Sequence, residues 1–139
     1  MIKNYYYLIV GVLAILFSFT HAWNGETSVL PLIDASSIDL NTKTTIFYVW
    51  HIITCENLVF GIAFLIMALY RDLSKVRFAA WMIIAIMIAR WSVIFVITLS
   101  NNKNGLKETL TDLVVIIIYV GLIILGTKVK NKIPDLKQK

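Results

Sequence analysis

Four stretches of this chain, residues 5–22, 44–70, 76–99 and 109–127, are almost wholly apolar. A helix rises ~1.5 Å per residue, so about 18 to 20 residues cover the ~30 Å of hydrocarbon in a bilayer. Each stretch reaches that length. Inside hydrocarbon a lone segment must satisfy its own backbone N–H and C=O groups, which makes each stretch a helix. The composition agrees, with 59% hydrophobic residues, only 15% charged and a mean hydropathy of +0.81. Soluble domains of this size do not combine those values. The predicted fold is all-α. It is a single integral membrane domain over residues 1–139, a four-helix transmembrane bundle with antiparallel, up-down topology. Residues 23–43 are predicted as an outer loop and 128–139 as a basic tail.

The formal net charge is +5. Its placement argues against a nucleic-acid partner. With alternating helices, Lys3, Arg71, Lys75, Arg77, Lys128, Lys130, Lys132, Lys137 and Lys139 share one side, and Lys43, Lys103 and Lys107 the other. Nine against three is a positive-inside bias, so both termini are expected in the cytoplasm and the first and third loops outside. The expected partner is the lipid bilayer, with the basic side drawn to anionic headgroups. A homo-oligomer or a larger membrane complex is compatible with the small-residue faces described below. Richness in Ile, Lys and Asn suggests a bacterial cytoplasmic (inner) membrane. The single cysteine, Cys55, permits no intrachain disulfide and is expected as a small buried apolar residue.

Residues 1–22 resemble a signal peptide only superficially: Lys3 is a thin basic region and Thr20-His21-Ala22 a poor cleavage site, so an uncleaved helix is expected. Ala14, Ser18 and Ala22 recur at helical spacing and offer a smooth face for close packing, as do Ala79, Ala80, Ala85 and Ala89 later in the chain. Asn24-Gly25 is a turn signal. The loop that follows carries Val29, Leu30, Leu32 and Ile33 around Pro31, more like a lid than a tether. Asp39 or Asn41 is placed to cap the second long helix.

Polar groups cost free energy in hydrocarbon, so those inside the stretches need partners or a task. The second stretch carries Trp50, His51, Thr54, Cys55, Glu56 and Asn57 in its outer half, and the third carries Arg90. From helical rise, Glu56 lies ~18 Å and Arg90 ~14 Å below the outer ends of their helices. They are expected to form an intramembrane ion pair that sets helix register or, alternatively, relays a proton or substrate. Asp112 sits only ~5 Å down the fourth helix and is a shallower polar neighbour. Glu56 is ~140° round the helix from His51, so those two do not make a same-face pair. His21 ends the first helix on the side where the second begins, and Glu26 follows it across the turn. His21, Glu26 and His51 are therefore expected to converge, with Trp50, Thr54 and Asn57 as supporting polar residues. Two imidazoles and a carboxylate suit a transition metal, and two imidazoles alone suit a haem. The same residues also read as structural, His21 at an interface and His51 hydrogen-bonded to a neighbouring helix. There is no metalloprotease-type His motif, cysteine pair, glycine-rich phosphate loop or nucleophile elbow, and no catalytic residue is assigned.

The pattern His21-Ala-Trp-Asn-Gly25-Glu26, then Leu30-Pro31-Leu32, then Trp50-His51 resembles one in small uncharacterised four-helix membrane proteins of bacteria. There a His-Ser/Ala-x-x-Gly-Glu turn follows the first helix, Pro-Leu lies in the loop and Trp-His opens the second. The resemblance covers roughly residues 10–65. It implies that His21, Gly25, Glu26 and His51 act as one unit, and it carries no activity. The expected function is a binding module for a metal ion or small ligand near the outer face. The alternatives are a haem-binding or oxidoreductase membrane subunit and an accessory subunit of a larger complex.

Overall fold

The computed structural model describes residues 2–130. They are all-α: α1 (Tyr5–Asn24), α2 (Leu30–Asp34), α3 (Leu40–Leu69), α4 (Arg77–Asn101) and α5 (Leu106–Lys128), with no strand among the described residues. A π-turn, Gly25–Val29, joins α1 to α2, and 3-10 turns at Leu73–Val76 and Lys103–Gly105 lead into α4 and α5. Four segments are long and apolar enough to cross a membrane: Tyr5–Asp34, Leu40–Leu69, Leu73–Asn101 and Lys103–Lys128. Only 17% to 28% of the most apolar window of each is buried within the chain. Large apolar side chains on all four segments, such as Phe19, Val59, Val93 and Ile117, face outward. That much exposed apolar surface suits contact with lipid tails rather than with water.

The stretch 23–43, expected as a loop, is mostly helical. Asn24 has φ −61° and ψ −38°, and no glycine has a positive φ. Gly25 therefore continues the right-handed helix instead of turning it. The chain widens into the π-turn and resumes as α2, with Pro31 in its first turn. A proline lacks the N–H for the preceding turn and crowds the carbonyl four residues back, and a widened turn just before it relieves both. The connection shrinks to residues 35–39. At its far side Asp39 caps α3, its carboxylate accepting from the Thr42 amide at 3.0 Å and the Thr42 hydroxyl at 2.6 Å. That cap lets α3 start at Leu40, ahead of the apolar run. Of the basic tail expected over 128–139, residues beyond 130 lie outside the described region.

The chain divides into two compact units. In the unit Leu8–Ile66, α1 and α3 pack with contacts that climb one helix as they descend the other. The backbones come closest at Gly11 and Gly61, where a Cβ on either glycine would stand 3.0 Å from the carbonyl oxygen of the other. Further along, the Ser18 hydroxyl donates to the Thr54 carbonyl at 2.8 Å. Val10, Ala14, Leu30 and Phe64 are the buried apolar residues of this unit. The small-residue face expected on the first helix thus holds Ala14 and Ser18, both 4% exposed.

The other unit, Met1–Tyr7 with Met67–Lys139, gathers several chain ends. The backbone amides of Lys3 and Asn4 both donate to the Ala68 carbonyl, at 2.8 and 3.1 Å. Asn4 is buried; its Nδ2 donates to the Gly126 carbonyl at 2.9 Å and its Oδ1 caps α1 by accepting from the Tyr7 amide at 3.2 Å. Gly126 leaves room for the Tyr7 ring, which would lie 2.4 Å from a Cβ there. Ala80, Ile83, Ile84 and Met87 of α4 and Tyr119 and Ile123 of α5 are buried in this unit. Ala79, Ala85 and Ala89, expected to pack like Ala80, are exposed. Ala85 and Ala89 fall on the other side of α4 from Ala80, Ile83, Ile84 and Met87, which follow helical spacing, and Ala79 lies at the edge of that buried face.

Candidate functional site

The site sits at the end of the α1–α3 pair where α1 runs into the π-turn. Three contacts build it. The imidazole of His21 stacks on the indole of Trp50, with centroids 4.3 Å apart and planes 7° from parallel. Trp50 Nε1 donates to the His21 carbonyl at 3.1 Å. Glu26 Oε1 lies 3.3 Å from His51 Nε2. One helical turn of α1 and its continuation thus meets two adjacent residues of α3.

The local sequence explains the fit. Gly25 is buried and has no side chain, so the Trp50 ring lies flush against the π-turn backbone. With Trp50 fixed by its stack and its hydrogen bond, the next residue, His51, is presented to Glu26. Thr54 lies one turn further along α3, and its hydroxyl donates back to the Trp50 carbonyl at 3.3 Å. Its own carbonyl takes the Ser18 hydrogen bond, which ties the site to the helix pair beneath it.

Glu26 and His51 are accessible, with side chains 61% and 44% exposed. A carboxylate beside an imidazole offers two donor atoms to a cation or shares a proton between two bases. Of the three residues expected to converge, Glu26 and His51 are brought together. His21 is instead engaged by Trp50 through its ring and its backbone. Among the described residues no three His, Cys, Asp or Glu side chains come close enough to share a metal ion.

The other expected polar residues are placed as follows. Asn57 and Glu56 are half-buried on α3, and Arg90 is half-buried on α4, in the other unit. Asp112 is exposed on α5. Cys55 is a correction: it is exposed rather than buried, because it faces away from the side of α3 that carries Thr54 and Phe64. The close passage of α1 and α3 at Gly11 and Gly61 was not singled out from the sequence. Its signal was available, since glycines inside membrane helices mark places where backbones approach.

Against known protein families, curated proteins and solved structures, the chain matches none.

Proposed function

We propose that this protein is an integral membrane binding module whose site is the Glu26–His51 pair, with Trp50 and His21 forming its wall. The 3.3 Å approach of Glu26 Oε1 to His51 Nε2 carries this reading. Both groups are accessible, and both sit on a frame that fixes their separation. The ligand that suits this donor set is a divalent first-row metal ion, bound by one imidazole and one carboxylate with water in the open positions. A bias of nine Lys and Arg residues against three, if the helices alternate, supports cytoplasmic termini and a site towards the outer face. A bis-histidine haem draws less support, because it needs the His21 and His51 rings as a pair and the His21 ring lies flat on Trp50.

The test is titration of the detergent-purified protein with Zn²⁺ and Ni²⁺, beside Glu26→Gln, His51→Ala and His21→Ala. One site is expected in the parent, markedly weakened in the first two variants and retained in the third. Equal binding by all four proteins, or no binding by the parent, overturns the reading.

A further inference from the structure

A second surface lies in the unit that gathers the chain ends. Hydrogen bonds there tie four segments together: Lys3 and Asn4 to Ala68, Asn4 to Gly126, and the Arg77 guanidinium Nη2 to the Val129 carbonyl at 3.4 Å. The start of α1, the end of α3, the start of α4 and the end of α5 therefore share one end of this unit. Lys3, Arg71, Lys75, Arg77, Lys128 and Lys130 lie on those segments, and all six are exposed. The one acid among the described residues there is Asp72, whose carboxylate is already accepting from the Ser74 amide and hydroxyl at 3.1 and 2.6 Å. Next to the basic groups stand outward-facing aromatics, Tyr5 at 66% and Phe78 at 75% exposed. Both belong to segments apolar enough to cross the bilayer.

We infer that this end of the protein is a docking surface for the headgroups of anionic glycerophospholipids. Six cations on segments held together by backbone and side-chain hydrogen bonds make a charge cluster at one end of the unit. The exposed Tyr5 ring sets it at the headgroup level, where tyrosine and tryptophan partition, with Phe78 on the apolar side. Each Lys or Arg near an anionic surface contributes about a fivefold gain in association, so several together select one lipid class over another. A free polyanion in water has no counterpart for the apolar rim, which is why lipid is the partner. The inference does not depend on the Glu26–His51 site or on which side of the membrane this end faces.

The experiment is electron spin resonance of the full chain reconstituted in phosphatidylcholine with spin-labelled phosphatidylglycerol or phosphatidylcholine. The readout is the ratio of their association constants at the protein surface. At low salt the anionic lipid should be favoured at least about fivefold. In 1 M NaCl the preference should fall towards unity, because the Debye length shrinks to ~3 Å. Replacing the six basic residues with Gln should abolish it. Lys43→Gln/Lys103→Gln/Lys107→Gln, away from this cluster, should leave it intact. A ratio near one in the parent protein at low salt overturns the inference. So does a preference that survives 1 M NaCl, which needs no variant to fold. An equal loss in the triple variant also overturns it.

Discussion

The indole of Trp50 fills the space that a side chain would need at Gly25. A Cβ there would stand 2.1 Å from Trp50 Nε1 and 2.7 Å from Cδ1. The stack with His21, the hydrogen bond to its carbonyl and the Glu26–His51 approach all depend on that flush contact. Gly25→Ala should therefore cost roughly 1–3 kcal/mol, the range for forcing extra volume into a packed site. Thermal unfolding in detergent reads the loss, and a shift in tryptophan emission reads displacement of the ring. A variant as stable as the parent would mean that Trp50 moves aside without consequence.

Glycines elsewhere separate packing from helix propensity. At Gly61 a Cβ would meet Ile15 Cγ1 at 2.6 Å and two backbone atoms of α1 at 3.0 Å, whereas at Gly121 it would meet nothing within 4 Å. Gly61→Ala should destabilise the protein. Gly121→Ala should be neutral or stabilising by up to ~1 kcal/mol, since alanine orders a helix more readily. Denaturation of the two variants side by side checks this, and the opposite order would contradict the α1–α3 packing.

Asn4 holds three partners while buried: the Ala68 carbonyl, the Gly126 carbonyl and the Tyr7 amide. Its backbone bond survives mutation, but its side-chain bonds do not. Asn4→Ala should cost roughly 1–3 kcal/mol for each group left unsatisfied. Asn4→Asp keeps the cap on Tyr7 but replaces the donor to Gly126 with a buried oxygen facing that carbonyl, so its loss should be at least as large. Proteolysis near the N-terminus under native conditions would report the loosened end.

Asp39 makes the start of α3 sensitive to acid. Hydrogen bonds from the Thr42 hydroxyl and amide hold its carboxyl below the ordinary carboxylate value. A group with a lowered pKa in the folded state stabilises at pH above its unfolded value and loses that contribution as pH falls through the folded one. The first turn of α3 should thus fray in acid, as hydrogen exchange at Thr42 would show. Asp39→Asn retains a cap without the titration, so its protection factor at Thr42 should be flat with pH; Asp39→Ala should be frayed throughout. Identical pH profiles for the parent and Asp39→Asn would refute this.

If Glu26 and His51 bind a metal ion as proposed, that binding should depend on pH. The imidazole must be deprotonated to ligate, so apparent affinity for Zn²⁺ should weaken as the solution is acidified. Glu26→Gln should weaken binding at all pH values while leaving a dependence that comes from His51. The double variant with His51→Ala should be no worse than His51→Ala alone if the two ligands act together. Strictly additive losses would mean that they bind separately.

Much of the site was legible before folding. His21, Glu26 and His51 stood out because polar groups near an apolar run need a reason, and the helix start after the loop because Asp39 or Asn41 could cap it. What was not legible is how they share partners. Residue spacing places His21 and His51 at one end of adjacent helices, but it does not say that Trp50 takes the His21 ring and leaves Glu26 to His51. Asn24-Gly25 reads locally as a turn, yet Gly25 stays right-handed and carries α1 onward.

The sequence alone determined the four helices. A chain in hydrocarbon must satisfy its own backbone, and apolar length is sufficient to demand that. Which residues of those helices touch was decided only in the tertiary structure. Lipid tails are as apolar as leucine, so burial does not distinguish one helix face from another. Close backbone approach and the few hydrogen bonds do, at Gly11 and Gly61, at Ser18 and Thr54, and at Gly25 and Trp50. Small residues in the sequence mark where a close approach is possible, but which of them meet depends on shape between residues distant in the chain.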